Sequence, residues 1–297
     1  MPRVLQVTPA GSGLIRAVRR SFLIGMLACL AMPMAEGAQL KQRTAEAFDR
    51  YVAASEGRMQ QEIREGPFLF IDALPADRRT EAYAQLAERQ ILVNQANGKE
   101  DGRPVKIPDG LIHDWIGVLY IPKASLTQTL EIVQDYSNYQ EFYKPEIRRS
   151  KILQQEGETF KVFLQLYKKS LVTVVINANF DVSFRRLGTD RVVSDAYSTR
   201  LAEVENAGQE NEREMPVDDG HGYLWRIINY WRFEERDGGV YVQLESIGLS
   251  RGVPAIIGWL VNPLLESIPR GTITSLLGAT RRAVVRRRPA AQSSTMP

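Results

Sequence analysis

Cysteine and histidine are almost absent from this chain of 297 residues, which holds one cysteine, Cys29, and two histidines, His113 and His221. Cys29 lies in an N-terminal segment that we expect to be removed. The remaining chain would then have no disulfide, no cysteine nucleophile and no cysteine metal ligand. The sequence also lacks the H-E-x-x-H, G-x-S-x-G and phosphate-loop motifs. We therefore predict no metal, no cofactor and no catalytic residue of an established pattern.

Neither sign of charge dominates the body of the chain. The formal net charge of +3 comes from residues 1–37, and the other residues carry 34 basic and 34 acidic side chains. A neutral body has no electrostatic signature of nucleic-acid binding, so we predict no nucleic-acid partner. Arginines near the C terminus are typical of a helix end, with contact to a membrane surface as the alternative. They are Arg281, Arg282, Arg286, Arg287 and Arg288.

The N-terminal apolar run, residues 22–32, is shorter than the about 20 residues that span a bilayer. Arg16, Arg19 and Arg20 precede this run and small residues come after it. This pattern predicts that residues 1–37 are an export signal cleaved before Ala38, and that the protein is periplasmic or secreted. An uncleaved N-terminal membrane anchor is the alternative. A lipoprotein is less favoured, because the residues before Cys29 match a lipobox only loosely.

Residues 19–23, Arg-Arg-Ser-Phe-Leu, resemble the twin-arginine export motif. Proteins on that route cross the membrane already folded. The alternative is an ordinary secretory signal in which two arginines happen to be adjacent.

Residues 38–110 are predicted to be a helical extension and a connector. Apolar side chains at helical spacing predict one helix over 39–66 and a second from Asp77 to about Val93. Residues 94–110 are rich in turn-forming glycine, proline and aspartate. This unit is too small to form a convincing separate domain, so we expect it to pack on the C-terminal part of the chain.

From Leu111 the pattern changes to that of strands. Clean alternation over 171–185 predicts a strand with one buried and one solvated face. A final apolar helix is predicted from Ile256 to about Val285, with Pro263 and Pro269 breaking or kinking its first half. Other strands are predicted at 112–121, 146–155, 159–168, 191–204, 224–235 and 240–249, and short helical segments at 125–133 and 136–143.

This order of elements resembles the START-like or SRPBCC superfamily over about residues 111–288. Residues 135–145 (Asp-Tyr-Ser-Asn-Tyr-Gln-Glu-Phe-Tyr-Lys-Pro) and 250–262 (Ser-Arg-Gly-Val-Pro-Ala-Ile-Ile-Gly-Trp-Leu-Val-Asn) carry the resemblance. It implies an α+β helix-grip fold, in which a curved antiparallel sheet of about six or seven strands wraps on a long C-terminal helix. Residues 289–297 are predicted to be a disordered tail. The superfamily hosts transport, sensing and catalysis, so it implies a function only by analogy.

A sheet closed by one helix encloses a hollow, and two strands offer side chains to line it. Aromatic residues alternate along 223–233, and Glu245 on the next strand needs a partner if it is buried, for which Arg200 and Arg251 are candidates. Core packing of the aromatics and a structural ion pair are the alternatives, and a single bulge would exchange the faces. The predicted ligand-binding residues are Trp115, Arg200, Trp225, Tyr230, Trp231, Glu245 and Arg251.

Three functions fit this pattern. The first is an exported carrier that holds a lipid or another apolar small molecule, with residues 256–270 as a lid and Gly252, Gly258 and Gly271 nearby. The second is an enzyme of the cyclase or dehydrase type that uses the same cavity, with an acid or base drawn from Glu245, Tyr230 and His113. The third is a non-catalytic interaction protein with a filled core.

Overall fold

The computed structural model describes residues 38–96, 99–100, 103–169, 172–252 and 255–287, and leaves out the side chains of 99–100, 103–104 and 255–266. The predicted export signal and the predicted C-terminal tail lie outside the described residues. The predicted lid at 256–270 lies largely on residues whose side chains are outside them.

One antiparallel sheet of nine strands forms the centre of the molecule. In spatial order, eight of its strands are β2 (Ile91–Gln95), β5 (Gly110–Pro122), β13 (Gly239–Arg251), β12 (Arg226–Arg236), β9 (Arg191–Glu205), β8 (Thr173–Arg186), β7 (Thr159–Lys169) and β6 (Ile147–Glu156). The ninth, β10 (Arg213–Glu214), pairs with β9. Two short pairs stand apart, namely β1 (Ala38–Gln39) with β11 (Asp219–Gly220), and β3 (Lys99–Glu100) with β4 (Arg103–Pro104).

Five helices accompany the sheet, and the longest is C-terminal. They are α1 (Gln42–Glu65), α2 (Ala76–Ala87), α3 (Leu126–Val133), α4 (Tyr139–Phe142) and α5 (Ala255–Arg287). The predicted α+β helix-grip fold is confirmed. Of the predicted break or kink in the last helix, the break is wrong, because α5 runs without interruption through Pro263 and Pro269, and the kink stays a prediction.

One segment has a secondary structure different from the predicted one. The second helix was expected to extend to about Val93, but α2 ends at Ala87 and Ile91–Gln95 forms the edge strand β2. Arg89 has a φ of 66°, a left-handed conformation that a continuing helix does not adopt. The apolar run Ile-Leu-Val then pairs with β5 and enlarges the sheet beyond the expected six or seven strands.

The sheet has an inner face, toward α5, and an outer face, part of which is covered by the N-terminal helices. On the inner face, Ile273 and Leu277 of α5 pack over Gly117, where an added Cβ would lie 2.5 Å from Ile273 Cγ2. Trp115 and Leu119 join the same apolar cluster. On the outer face, Phe48 and Tyr51 of α1 pack against Ile247 and Leu249 of β13. Each central strand therefore alternates between two buried layers.

Candidate ligand-binding site on the inner face of the sheet

The strands β12, β13 and β5 lie side by side, so their inner-face residues form rows across the sheet. Along β13, the inner-face positions are occupied by small side chains at Ser246, Gly248 and Ser250. The neighbouring strands contribute larger ones. Three successive rows are Ile227–Gly248–His113, Asn229–Ser246–Trp115 and Trp231–Leu244–Gly117.

Two glycines, Gly117 and Gly248, lie in these rows. The space over Gly117 is filled by α5. A Cβ added at Gly248 would instead have as its nearest described neighbours Leu224 Cδ1 at 3.4 Å, Arg226 O at 3.8 Å and His113 Cβ at 3.9 Å, none of which belongs to α5. We call the inner-face region around Gly248, bounded by His113, Ile227, Asn229, Ser246 and Ser250, the inner trough.

Apolar side chains around the inner trough remain partly accessible although they belong to the core. Leu224, Ile227 and Trp231 pack against the inner cluster, yet each is only part-buried. Trp231 stacks parallel to Phe233, with ring centroids 5.9 Å apart. Helix α5 begins at Ala255, soon after β13 ends at Arg251, so its first turns start at the end of the sheet where the trough lies.

His113 contributes a polar group to the trough. Its Nε2 atom lies 2.8 Å from the hydroxyl of Ser250, and both residues face inward. Burial lowers the pKa of His113 to about 4, because the apolar surroundings disfavour the charged ring. The imidazole is therefore neutral at pH 7, and one of its nitrogens can donate while the other accepts.

Two further polar residues face the trough. Asn229 and Ser246 lie directly opposite each other on β12 and β13. Both are part-buried. Within the described part of the chain, neither side chain makes a hydrogen bond to another residue.

The predicted ligand-binding residues separate onto the two faces. Trp115 and Trp231 lie on the inner face, in the apolar cluster toward α5, and their role in ligand binding stays a prediction. Trp225 and Tyr230 pack instead in the outer cluster with Phe48 and Tyr51 of α1. Trp225 changes face because it precedes the first residue of β12. Its backbone N–H donates to Leu249 O at 2.7 Å, although Leu249 is also the register partner of Arg226.

Glu245 is fully buried on the outer face, and its expected partners were wrong. Neither Arg200 nor Arg251 reaches it, and its Oε1 atom accepts a short hydrogen bond from Arg58 of α1. Arg58 also bonds Glu62 at 2.9 Å. The sequence held a signal for this contact: Arg58 and Glu62 continue the helical spacing of the buried residues Tyr51 and Ser55.

Asp114 lies beside Glu245 on the outer face. It accepts a hydrogen bond of 2.7 Å from the hydroxyl of Tyr51, while Asp114 Oδ1 and Glu245 Oε2 have no hydrogen-bond partner among the described residues. Burial raises the pKa of both carboxyl groups, and the charge of Asp114 raises that of Glu245 further, against the opposing effect of Arg58. The partly buried guanidinium of Arg58 therefore stabilises the charged form of both buried carboxyl groups.

The two predicted arginines lie away from both buried layers. Arg200 pairs with Glu214 of β10, and both side chains are about two-fifths exposed, at 37% and 39%. Arg251 lies at the end of β13, where its Nη1 atom is 3.4 Å from His221 O. Near the C terminus, Arg281 and Arg287 donate to the backbone carbonyls of Arg89 and Glu131.

A concave surface lies on the described residues of strands β6 to β9. It is a solvent-open pocket of about 290 Å³ across β6 to β9, and its polar lining includes Lys161, Asp181, Asp195 and Tyr197. Among the described residues, no group of histidine, cysteine or acidic side chains is arranged to hold a metal ion. Within the same ranges, none of the helices combines the length and the apolar character needed to cross a membrane.

Comparison with protein families and with curated proteins finds no match. Among solved structures, the chain is similar to the Zhui aromatase/cyclase of Streptomyces sp. R1128, with 13% identity, coverage of 61% of this chain and 99% of that one, and a TM-score of 0.43. It is also similar to a STAR-related lipid transfer protein from Xanthomonas axonopodis (15% identity, 59% and 96% coverage, TM-score 0.39) and to human STARD10 (7%, 72% and 81%, 0.41).

The identities and TM-scores describe a distant likeness of fold. The function therefore depends on this chain's own residues.

Proposed function

We propose that this protein is an exported carrier that holds an apolar small molecule or lipid in the inner trough, between the sheet and the first half of α5. The observation that supports it best is that apolar side chains of the inner face, Leu224 among them, are only part-buried around the space between the sheet and the start of α5. Part-buried Ile227 and Trp231 border that space. Covering them with a ligand would contribute about 25 cal/mol per Å² of apolar surface before ordering costs.

The enzyme alternative receives less support. Of its three candidate acids and bases, Glu245 and Tyr230 lie beneath α1 on the outer face, and only His113 faces the trough. A neutral histidine whose pKa is lowered to about 4 is a weak general base at pH 7. Ligand binding needs only the trough, whereas catalysis would also need an effective acid or base within it, so the structure favours binding.

The experiment is native mass spectrometry with organic extraction on the mature protein, residues 38–297, purified from the periplasm. We expect a reproducible bound apolar molecule in the unmodified protein. Ile227→Glu, which places a charge in the trough, should lower ligand occupancy at least tenfold. Leu153→Glu is the matched control, because Leu153 lies 50% exposed on the edge strand β6.

A protein that is free of ligand after purification, and that stays free after incubation with a lipid extract, would overturn the carrier proposal. Equal occupancy in the two variants would overturn the proposed location. Circular dichroism on both variants separates loss of binding from loss of folding.

Export belongs to the same proposal and rests on the pattern of residues 1–37. We expect the periplasmic protein to begin at Ala38 in N-terminal sequencing. If the twin-arginine route is used, replacing Arg19 and Arg20 together with lysine should leave the full-length chain in the cytoplasm. An unprocessed chain in the membrane fraction would instead favour the anchor.

A further inference from the structure

We infer that one internal water molecule is bound between α1 and the outer face of the sheet, where it joins Ser55 of α1 to the carboxyl groups of Asp114 and Glu245. The site lies in the packed outer layer and is independent of the proposed carrier function.

Three polar atoms in this layer are buried and have no hydrogen-bond partner among the described residues. They are Ser55 Oγ, Asp114 Oδ1 and Glu245 Oε2. Their residues are 1%, 2% and 1% exposed, so bulk solvent does not reach them. A polar atom in such surroundings is costly unless it is paired. In native proteins, buried polar groups without a protein partner are commonly satisfied by ordered internal water.

The contacts of α1 place these atoms in the same part of the layer. The hydroxyl of Tyr51 donates to Asp114 Oδ2 at 2.7 Å, and Arg58 donates to Glu245 Oε1. Ser55 lies about one turn after Tyr51 and about one turn before Arg58, on the buried face of the helix. Its hydroxyl is therefore located between the helix residues that reach the two carboxyl groups.

The two carboxyl groups are diagonal neighbours on the outer face of the sheet. Asp114 of β5 pairs with Ile247, and Glu245 of β13 pairs with Ile116. Diagonal neighbours lie about 7–8 Å apart, a separation that two side chains and a bridging water can span. The charge of Asp114 raises the pKa of Glu245, so the groups are close, yet each keeps one oxygen without a partner among the described residues.

A water molecule matches the three atoms in number and in kind. It can donate to Asp114 Oδ1 and to Glu245 Oε2, and it can accept from the hydroxyl of Ser55. An internal water typically makes about three hydrogen bonds of this kind. A metal ion matches less well, because Arg58 already places a positive charge at Glu245. Within the described ranges, no group of histidine, cysteine or acidic side chains is arranged to hold a metal.

The bridge gives Ser55 a role in positioning α1. Tyr51 and Arg58 bond directly to the carboxyl groups, whereas Ser55 acts on the same groups through the water. It would be a third polar connection between this helix and the sheet.

The direct test is a crystal structure of the purified protein at a resolution that shows ordered water. We expect one solvent peak at about 2.7–3.2 Å from each of Ser55 Oγ, Asp114 Oδ1 and Glu245 Oε2. A site without a peak, a direct contact between the two carboxyl groups, or a peak at the shorter distances of a metal ion would overturn the inference.

A pair of substitutions tests the site in solution. Ser55→Asn extends the side chain into the position of the water, and the asparagine NH₂ group supplies the two donors in its place. Ser55→Ala removes the hydroxyl and leaves the water with one partner fewer. We expect the folding equilibrium constant of Ser55→Asn, measured by chemical denaturation at pH 7, to exceed that of Ser55→Ala by on the order of fivefold.

Gln60 provides the matched control, because it is an exposed residue of the same helix. Helix propensity alone ranks alanine above asparagine, so Gln60→Ala should be more stable than Gln60→Asn. The same order at Ser55, or a Ser55→Asn protein that does not fold, would mean that the protein itself fills this space. Either result would overturn the inference.

Discussion

The two faces of the central sheet differ in the kind of polar group that they bury. The outer face, beneath α1, carries charges and pairs them: Arg232 Nη2 bonds Glu62 at 2.7 Å, Arg58 bonds Glu245, and Tyr230 donates to Glu56 at 2.7 Å. The inner trough carries neutral groups instead, and Ile227, Asn229 and Trp231 there are only part-buried. The first arrangement is typical of a permanent internal contact, and the second of a surface that meets something else.

The difference also separates the roles of residues that look alike in the sequence. Trp225 and Trp231 lie six positions apart on one segment, yet Trp225 packs under α1 and Trp231 borders the trough. Substitutions beneath α1 should therefore change the free energy of unfolding, whereas substitutions in the trough should change ligand affinity. Three predictions test this division.

The largest effect is expected where a buried charge loses its partner. Arg58→Met leaves Glu245, which is only 1% exposed, without its guanidinium. Removing one member of a buried ion pair costs about 3 kcal/mol or more. We expect a loss of about that size in the free energy of unfolding, measured by chemical denaturation at pH 7, with ligand affinity unchanged in the molecules that remain folded.

Arg200→Met is the matched control, because the Arg200–Glu214 pair is exposed. Exposed pairs contribute about 0–1 kcal/mol. Equal losses of unfolding free energy in Arg58→Met and Arg200→Met would show that the burial of Glu245 does not determine the size of the destabilisation. A loss of ligand affinity in folded Arg58→Met would contradict the separation of the two faces.

A smaller difference is expected between the two inner-face glycines. Gly117→Ala places a Cβ 2.5 Å from Ile273 and 2.9 Å from Leu277, so α5 must shift. Overpacking of this kind costs about 1–3 kcal/mol. Gly248→Ala meets its nearest described atom at 3.4 Å, and alanine is the better residue in a strand by about 0.5 kcal/mol. We expect denaturation to show destabilisation in the first variant and none in the second.

In ligand affinity, the two glycine variants should rank in the opposite order. Gly248→Ala places a methyl group between Ser246 and Ser250 and should weaken ligand binding, whereas Gly117→Ala lies under Ile273 and Leu277 of α5. Destabilisation by Gly248→Ala as large as that by Gly117→Ala would mean that the trough is already filled by the protein, which is the outcome expected of an interaction protein with a filled core.

Alternation and turn chemistry are local properties, and they predicted most of the fold. The strand expected at 171–185 is β8, Thr173–Arg186, and the strands expected at 224–235 and 240–249 are β12 and β13, which pair as a hairpin. Ile91–Gln95 was misassigned because a short apolar run after a helix is compatible with either structure. Its pairing with β5 is a tertiary contact, which periodicity does not report.

The candidate site was predicted less completely. Alternation along a strand predicts which side chains share a face only where the strand is regular. Ile227 to Phe233 alternate as expected, but Trp225 lies before the register begins. Helical spacing places Arg58 on the buried face of α1, but the strand residue that it meets, Glu245, lies 187 positions later, and that pairing has no local signal. Gly248, which defines the trough, was not recognised because a glycine in a strand does not show what lies above it.

The smallest effect is the pH dependence of the α1 contact. The folded-state pKa values of Asp114 and Glu245 are raised, so their contribution to stability is fully present below about pH 4 and is lost as pH rises through the raised values toward neutrality. The free energy of unfolding of the unmodified protein should fall between about pH 5 and pH 8. In Glu245→Gln this fall should be smaller by on the order of 1 kcal/mol. Glu214→Gln should not flatten it, because hydrogen bonding to Arg200 lowers the pKa of Glu214 and its contribution is present at neutral pH. If the unmodified protein and Glu245→Gln have parallel stability curves, the buried carboxyl pair does not titrate in this range, and the contrast between a charged outer face and a neutral trough would rest on the ion pairs alone.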